Sequence, residues 1–357
     1  MESDQGTVRG GLPAARSPLP SAPFARTGPN AAGMTWTAVL CLLPSAAWGV
    51  FVFGPRAGLV LAVSVCAALM AELLAALLRR EVSLGDGSAL FSGLLIGCLL
   101  PPGVPLYVPA TAAAFAMIVV KQTFGGLGRN WMNPALAGVI VARVSWPDAF
   151  GGLVATRWTA AAASPLSVLP ASATQASAAD AAVLGWLHAH LLGPLGLRLQ
   201  QGAFDLFVGI RAGGIGELSV PLLLAGAALL SARRLIRWQL PAAYLGSFAL
   251  LAWVLGGLPA GNGLFAGRPL FHLVAGSLLL IALFSATDPV TSPLTVTGQL
   301  IHGAGCGCLT FLLRFYGSIP DGAALAVLLM NCVAPLIDVW TRPARFSTGR
   351  AEARNGS

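Results

Sequence analysis

Met132-Asn133-Pro134-Ala135-Leu136 and Met330-Asn331-Cys332-Val333-Ala334-Pro335-Leu336 are two versions of one element, placed near the middle and near the end of the chain. Each joins an Asn and a Pro to an apolar run, and each follows a Gly-bearing turn, Phe124-Gly125-Gly126-Leu127 in one case and Tyr316-Gly317-Ser318-Ile319 in the other. Upstream the likeness continues. Two plain hydrophobic stretches precede a stretch that ends in a Pro-containing break, Leu100-Pro101-Pro102 or Thr287-Asp288-Pro289, and another hydrophobic stretch follows. The chain therefore reads as a five-plus-five internal repeat.

Composition fixes the medium in which this repeat must fold. Of 357 residues, 56% are hydrophobic and 10% charged, and mean hydropathy is +0.78. Soluble domains carry about 25% charged residues, so this chain lacks the polar surface to cover a soluble globule, and it is too apolar for disorder. It reads as an all-α polytopic membrane protein. A bilayer core takes about 20 apolar residues per helix. Candidate spans are 34–53, 57–78, 88–102, 104–120, 133–147, 204–231, 239–257, 269–286, 297–314 and 321–338. Those at 88–102 and 133–147 are short and flanked by Gly and Pro, as expected of broken or half-length helices, which are tolerated only where protein or a cavity covers them. Residues 1–33, rich in Pro, Gly, Ser and Ala, read as a disordered cytoplasmic tail and not as a signal peptide.

Charge supplies the orientation. With the N-terminus inside, fourteen of the 21 Lys and Arg residues fall on the inner side, among them Arg79, Arg80, Lys121, Arg129, Arg233, Arg234 and Arg237. That bias follows the positive-inside rule. It puts both termini in the cytoplasm, 148–203 in an outer-face loop and 341–357 in a cytoplasmic tail. The first repeat, 34–147, then starts inside and the second, 204–340, starts outside, so the repeats are inverted as in many transporter folds. Although net charge is +8, the basic residues are dispersed, and no nucleic-acid partner is expected. The six cysteines all sit in apolar stretches as small hydrophobes. Cys306-Gly-Cys308, the only close pair, reads as helix packing in preference to a metal site, and no metal-ligand spacing or catalytic constellation of hydrolytic type is present.

Four segments are too particular to be lipid-facing filler. Leu84-Gly85-Asp86-Gly87-Ser88-Ala89-Leu90 opens a short helix, with Asp86 placed to cap it or favour its dipole. In Phe124–Gly138, Asn133-Pro134 starts a helix, and Asn130 and Asn133 are suited to bond freed backbone groups. Gly209-Ile210-Arg211-Ala212-Gly213-Gly214-Ile215-Gly216-Glu217-Leu218-Ser219 reads as an unwound helix around a ligand. Gly214 and Glu217 are its candidate binding residues, and Glu217 either serves a site or pairs with Arg211, because intramembrane carboxylates are costly. In Phe284–Pro293, Thr287 and Asp288 either cap a helix or line a polar pocket.

These segments, together with KQTFGGLGRNWMNPALAG and the run GQLIHGAGCG to YGSIPDGAALAVLLMN, resemble the family of the D component of the Rnf electron-transport complex, which is shared with the B component of the Na⁺-translocating NADH:quinone reductase. The match covers about residues 35 to 340. The resemblance implies ten membrane helices and a subunit of an ion-translocating oxidoreductase in a bacterial inner membrane, moving electrons between flavins while Na⁺ or H⁺ crosses. Other membrane and peripheral subunits are implied as partners, and a flavin transferase as the attaching enzyme. It also implies FMN joined through its phosphate to a Thr that ends an S/T-G-A-T motif, preceded by Asp and followed by Pro-Leu. Here Pro165-Leu166 and Ala163 are kept and Ser164 stands at the acceptor position, while Ala162, Ala161 and Trp158 replace the Gly, the Ser or Thr, and the Asp. Ser164 is thus the candidate covalent acceptor, or else an ordinary cap or loop residue. A second, non-covalent flavin stays open. The rival readings are a small-solute channel or transporter of inverted-repeat fold, and a structural subunit of the complex without flavin.

Overall fold

The computed structural model describes residues 31–79, 84–126, 128–152, 154, 156, 203–259, 261, 263–317, 319 and 321–342. Apart from an isolated bridge at Val154, every regular element among them is helical. In chain order these are α1 (Ala31–Phe53), α2 (Pro55–Arg79), α3 (Ser88–Leu99), α4 (Tyr107–Phe115), α5 (Pro134–Ser145), α6 (Ala203–Val208), α7 (Val220–Ala232), α8 (Gln239–Val254), α9 (Pro269–Val274), α10 (Leu278–Leu280), α11 (Val296–Phe315) and α12 (Ala323–Trp340). Single 3₁₀ turns lie at Leu84–Asp86 and Pro147–Phe150. Helix occurs in all ten apolar stretches. Four of the helices, α1, α2, α11 and α12, are long and apolar enough to cross a membrane on length and composition.

Half-length helices appear where Gly and Pro announce them. α3 and α5 have 12 residues each, about 18 Å at 1.5 Å per residue, against about 30 Å of hydrocarbon. Proline and asparagine set the start of α5: Pro134 occupies the first turn, and Asn133 Oδ1 accepts from Ala135 N (3.0 Å) and Leu136 N (3.3 Å). Such a cap satisfies amides that have no intrahelical acceptor. Asn331, the counterpart in α12, meets it directly. With its amide oriented to satisfy both groups, it accepts from Asn133 N (3.3 Å) and donates to Val327 O (3.2 Å), so the two Asn/Pro elements touch.

The stretch 204–231 is divided. α6 ends at Gly209, whose φ of +99° favours glycine, and regular helix resumes at α7. Between them the chain is unwound and buried, and it meets the broken end of α3. Gly216 N donates to Cys98 O (2.8 Å) and Ile215 N to Leu100 O (3.1 Å), while Ser45 Oγ of α1 donates to Gly216 O (2.6 Å). Each break supplies the partners that the other lacks. Two further irregularities are π-helical: α4 continues as Ala116–Gln122 and α10 as Ile281–Ser285. Such wide turns recur at functional sites.

Packing follows from small residues. α2 lies against α3 and α4, α8 against α11, α11 against α12, α1 against α7, and α5 against α12. The interlock is tightest at Gly216, where a Cβ would fall inside the Cys98 side chain. Gly216→Ala should therefore overpack the interlock by about 1–3 kcal/mol, lowering the thermal midpoint and the monodisperse yield of the detergent-extracted protein. Gly246→Ala in α8, where a Cβ meets nothing within 4 Å, should leave both unchanged. Equal behaviour of the two variants would refute the interlock.

Candidate functional site

Three of the four singled-out segments converge. The 84–90 segment, the 124–138 segment and the 284–293 segment line one cavity of about 300 Å³, the lower end of the size range of small-molecule sites. Its polar groups include Ser88, Lys121, Asn130, Asn133, Thr287 and Asp288, and its apolar residues include Phe91, Phe284, Leu230 and Ile236. Both π-helical stretches end here, one contributing Lys121 and the other Phe284.

Asp86 lies one residue before Gly87, the N-cap of α3, and braces the start of that helix through Ser88. Its Oδ1 accepts from Ser88 N (2.9 Å) and from Ser88 Oγ (2.5 Å). Lys121 Nζ donates to Ser88 Oγ (2.6 Å) and forms an ion pair with Glu72 Oε1 of α2 (2.8 Å). Glu72 is 0% exposed and Lys121 2%. Sequence reasoning placed Lys121 among the charges of an inner loop and passed over Glu72 inside 57–78. The structure buries both. The available signal was a lone carboxylate within a long apolar run, which demands a partner.

Across the cavity, Thr287 Oγ1 donates to Leu283 O (2.9 Å), and Asp288 Oδ1 accepts from Val290 N (3.1 Å), which braces the turn after the π-helical stretch. Asn130 Nδ2 donates to Met132 O (3.3 Å) and Asn133 Nδ2 to Ser285 O (3.4 Å). Both asparagines thus bond freed backbone groups, as their positions predict.

The fourth segment lies elsewhere. Glu217 is buried, and its Oε1 accepts from Gly214 N (2.9 Å), which staples the unwound loop to itself. Arg211 reaches Glu217 through the backbone: Nη2 donates to Glu217 O (3.1 Å) and to Val274 O (2.7 Å). The break between α9 and α10 leaves carbonyls that water would otherwise satisfy, and guanidinium groups take them. Besides the Arg211 bond to Val274, Arg314 Nη1 donates to His272 O (2.5 Å) and Ala275 O (3.4 Å). Asp321 completes this frame, pairing with Arg314 Nη2 (3.1 Å) and accepting from Ser277 N (3.0 Å). Cys306 is buried 3.7 Å from His302 Nδ1, whereas Cys308 is exposed, so the close pair faces two ways. Ser164, with Trp158, Ala161 and the rest of its motif, lies outside the described residues.

Removing one partner of a buried pair leaves the other charge uncompensated, at a cost of about 3–5 kcal/mol. Asp321→Leu should therefore cost that much in unfolding experiments on the solubilised protein. Asp321→Asn, which keeps an acceptor for Ser277 N, should cost less. Equal stability of Asp321→Leu and the unmodified chain would show that the frame carries no load.

Comparison with known proteins places this scaffold. The chain is 38% identical over 339 residues to the D component of the proton-translocating ferredoxin:NAD(+) oxidoreductase complex of Clostridium ljungdahlii, covering 93% of this chain and 96% of that one. It is 32% identical over 330 residues to the D component of the Na(+)-translocating ferredoxin:NAD(+) oxidoreductase complex of Acetobacterium woodii, covering 90% and 92%. It is 38% identical over 330 residues to the D component of the ion-translocating oxidoreductase complex of Stutzerimonas stutzeri, covering 86% and 89%. The profile of the NQR2, RnfD, RnfE family matches residues 19–347, nearly the whole chain. With its divided helices, apolar spans and buried ion pairs, this chain belongs to the NQR2, RnfD, RnfE family.

Proposed function

We propose that the protein is a membrane subunit of an Rnf-type ion-translocating oxidoreductase, carrying electrons by flavin and coupling that transfer to movement of Na⁺ or H⁺. Relatives over most of their length are subunits of ferredoxin:NAD(+) oxidoreductase complexes. One observation carries the flavin part of the reading: three segments distant in sequence meet around one cavity whose lining is mostly apolar with a few polar groups among it. Its size suits a planar heteroaromatic ring system and is too small for a whole dinucleotide. Phe91, Phe284 and Leu230 offer faces for such a ring, while Asn130, Asn133, Thr287 and Asp288 offer an edge of amide, hydroxyl and carboxyl groups, so the residues present fit a non-covalent flavin. When bound, a flavin supplies the one- and two-electron chemistry that protein side chains lack. The chain's own residues bind it, orient it and keep water from it.

Ten crossings in two inverted repeats, 34–147 and 204–340, complete the proposed architecture, with both termini in the cytoplasm of a bacterial inner membrane and 148–203 outside. The Lys121 and Asp288 cavity then opens toward the inner face, and the Arg314–Asp321 frame lies toward the outer one. Glu217 and Gly214 sit between, where Glu217 holds the unwound loop that an ion or a flavin would meet. Other membrane and peripheral subunits supply the electron donor and the nucleotide site. Ser164, in the outer loop, is the proposed acceptor of FMN from a flavin transferase, because the transfer needs a hydroxyl and Ser164 precedes Pro165-Leu166.

Two experiments test this. Denaturing the purified complex, made with an active flavin transferase, should release a non-covalent flavin and leave a fluorescent band for this subunit. Ser164→Ala should abolish the band without changing the released flavin. A band that survives in Ser164→Ala would assign the covalent flavin to another residue, and absence of both flavins would favour the structural-subunit reading. For the topology, a single Cys at Ala173 in a Cys-free background should react with an impermeant thiol reagent in intact cells. Reaction only after the membrane is opened would reverse the orientation.

A further inference from the structure

From the chain of contacts at the cavity wall, we infer that Lys121 is the proton donor to the flavin in the cavity, reloaded from Asp86 through Ser88 and held in position by Glu72. The inference rests on the cavity's occupant being a flavin. Four groups form one hydrogen-bonded line. Asp86 is half-buried beside Ser88, Ser88 and Lys121 line the cavity, and Glu72 is fully buried behind them. The links are 2.5 Å from Ser88 Oγ to Asp86 Oδ1, 2.6 Å from Lys121 Nζ to Ser88 Oγ, and 2.8 Å from Lys121 Nζ to Glu72 Oε1. All are within proton-transfer range. A structural ion pair would need only the last link. The additional hydroxyl, bonded on one side to the ammonium and on the other to the half-buried Asp86 carboxylate, carries the line to a partly exposed group.

The physical need is clear. An electron entering a ring buried among apolar walls adds a negative charge in a medium of low dielectric, which is costly unless it is neutralised. The electron comes from a one-electron carrier in a neighbouring subunit. The N–H bond on Lys121 Nζ breaks as an N–H bond forms on a ring nitrogen of the flavin, which leaves a neutral amine and a neutral ring. A proton from solvent then joins the Asp86 carboxylate, the Ser88 hydroxyl turns to accept it and passes its own proton to the Lys121 amine, and Asp86 is left a carboxylate that again accepts from Ser88. One electron and one proton enter, and no charge accumulates. Two carboxylates face this ammonium or the cavity, Glu72 from α2 and Asp288 from the turn after the π-helical stretch at 281–285, and Asp86 from the turn before α3 reaches the ammonium through Ser88. Glu72 is a positioning residue. It fixes Nζ at the wall and does not touch the ring.

The test is a redox titration of the purified complex at several pH values, following the absorbance of the non-covalent flavin, with the flavin content measured on the same samples. In the unmodified complex the midpoint potential should fall as pH rises, as for any couple that takes up a proton with its electron. The double variant Glu72→Gln/Lys121→Gln leaves no unpaired buried charge and should fold. It should keep the flavin and the pH slope, but reduce the flavin at least several-fold more slowly than the unmodified complex. Ser88→Ala should keep the slope, which is an equilibrium property, and slow flavin reduction several-fold, with the slowing absent when electrons are supplied slowly. An unchanged rate of flavin reduction in the double variant, with flavin bound, overturns the proton-donor assignment alone. An unchanged rate in Ser88→Ala overturns the relay through Ser88. An unmodified complex that releases no non-covalent flavin overturns the cavity reading, and this inference with it.

Discussion

Every backbone N–H and C=O that a broken helix frees inside a membrane must find a partner within the protein, because hydrocarbon offers none. The interlock of α3 with the unwound 209–219 segment is the structure's answer. Cys98 O and Leu100 O, released where α3 stops, receive the amides of Gly216 and Ile215. Ser45 then takes the carbonyl of Gly216. This contact fixes much else. It requires glycine where Cys98 presses on the loop, it ties the first half of the chain to the second, and it holds the two half-length segments end to end.

The buried charges serve the same constraint. Arg211 and Arg314 spend their donors on carbonyls of the α9–α10 break, and Asp321 supplies the acceptor for Ser277 N on the far side of it. A guanidinium group suits this work because its fork presents several donors at fixed angles and stays charged when buried. Lys121 is a different kind of ion. Its compact ammonium makes two short bonds at one point, and that point is the wall of a cavity. The chain therefore uses arginine to close helix breaks and lysine to face the cavity.

Much of this was legible in the residues. Apolar run lengths located helix in all ten stretches, and Gly and Pro marked the breaks at Leu100 and Gly209. Asn133 announced its own cap. What stayed hidden has a common cause. Glu217 stood out as a carboxylate in an apolar stretch, yet its partner is the amide of Gly214, and a backbone amide leaves no trace in residue type. Lys121 read as a loop charge because the apolar run stops at Val120, and the wide π-helical turn that carries it inward has no strong sequence signature. The three cavity segments were each singled out, but their meeting depends on how α3, α4 and α10 pack, which periodicity does not encode. Ser164 was found by likeness to a motif and by nothing in the physics of its surroundings.

The π-helical stretch Ala116–Gln122 carries an evolutionary consequence. Such a turn is an α-helix with one residue too many, and each residue of an α-helix advances the facing direction by about 100°. Relatives that had lost that one residue would keep every hydrophobic position upstream of it and still aim the lysine away from Glu72. The register of this turn, set by a single residue, therefore decides whether the lysine meets Glu72 at all.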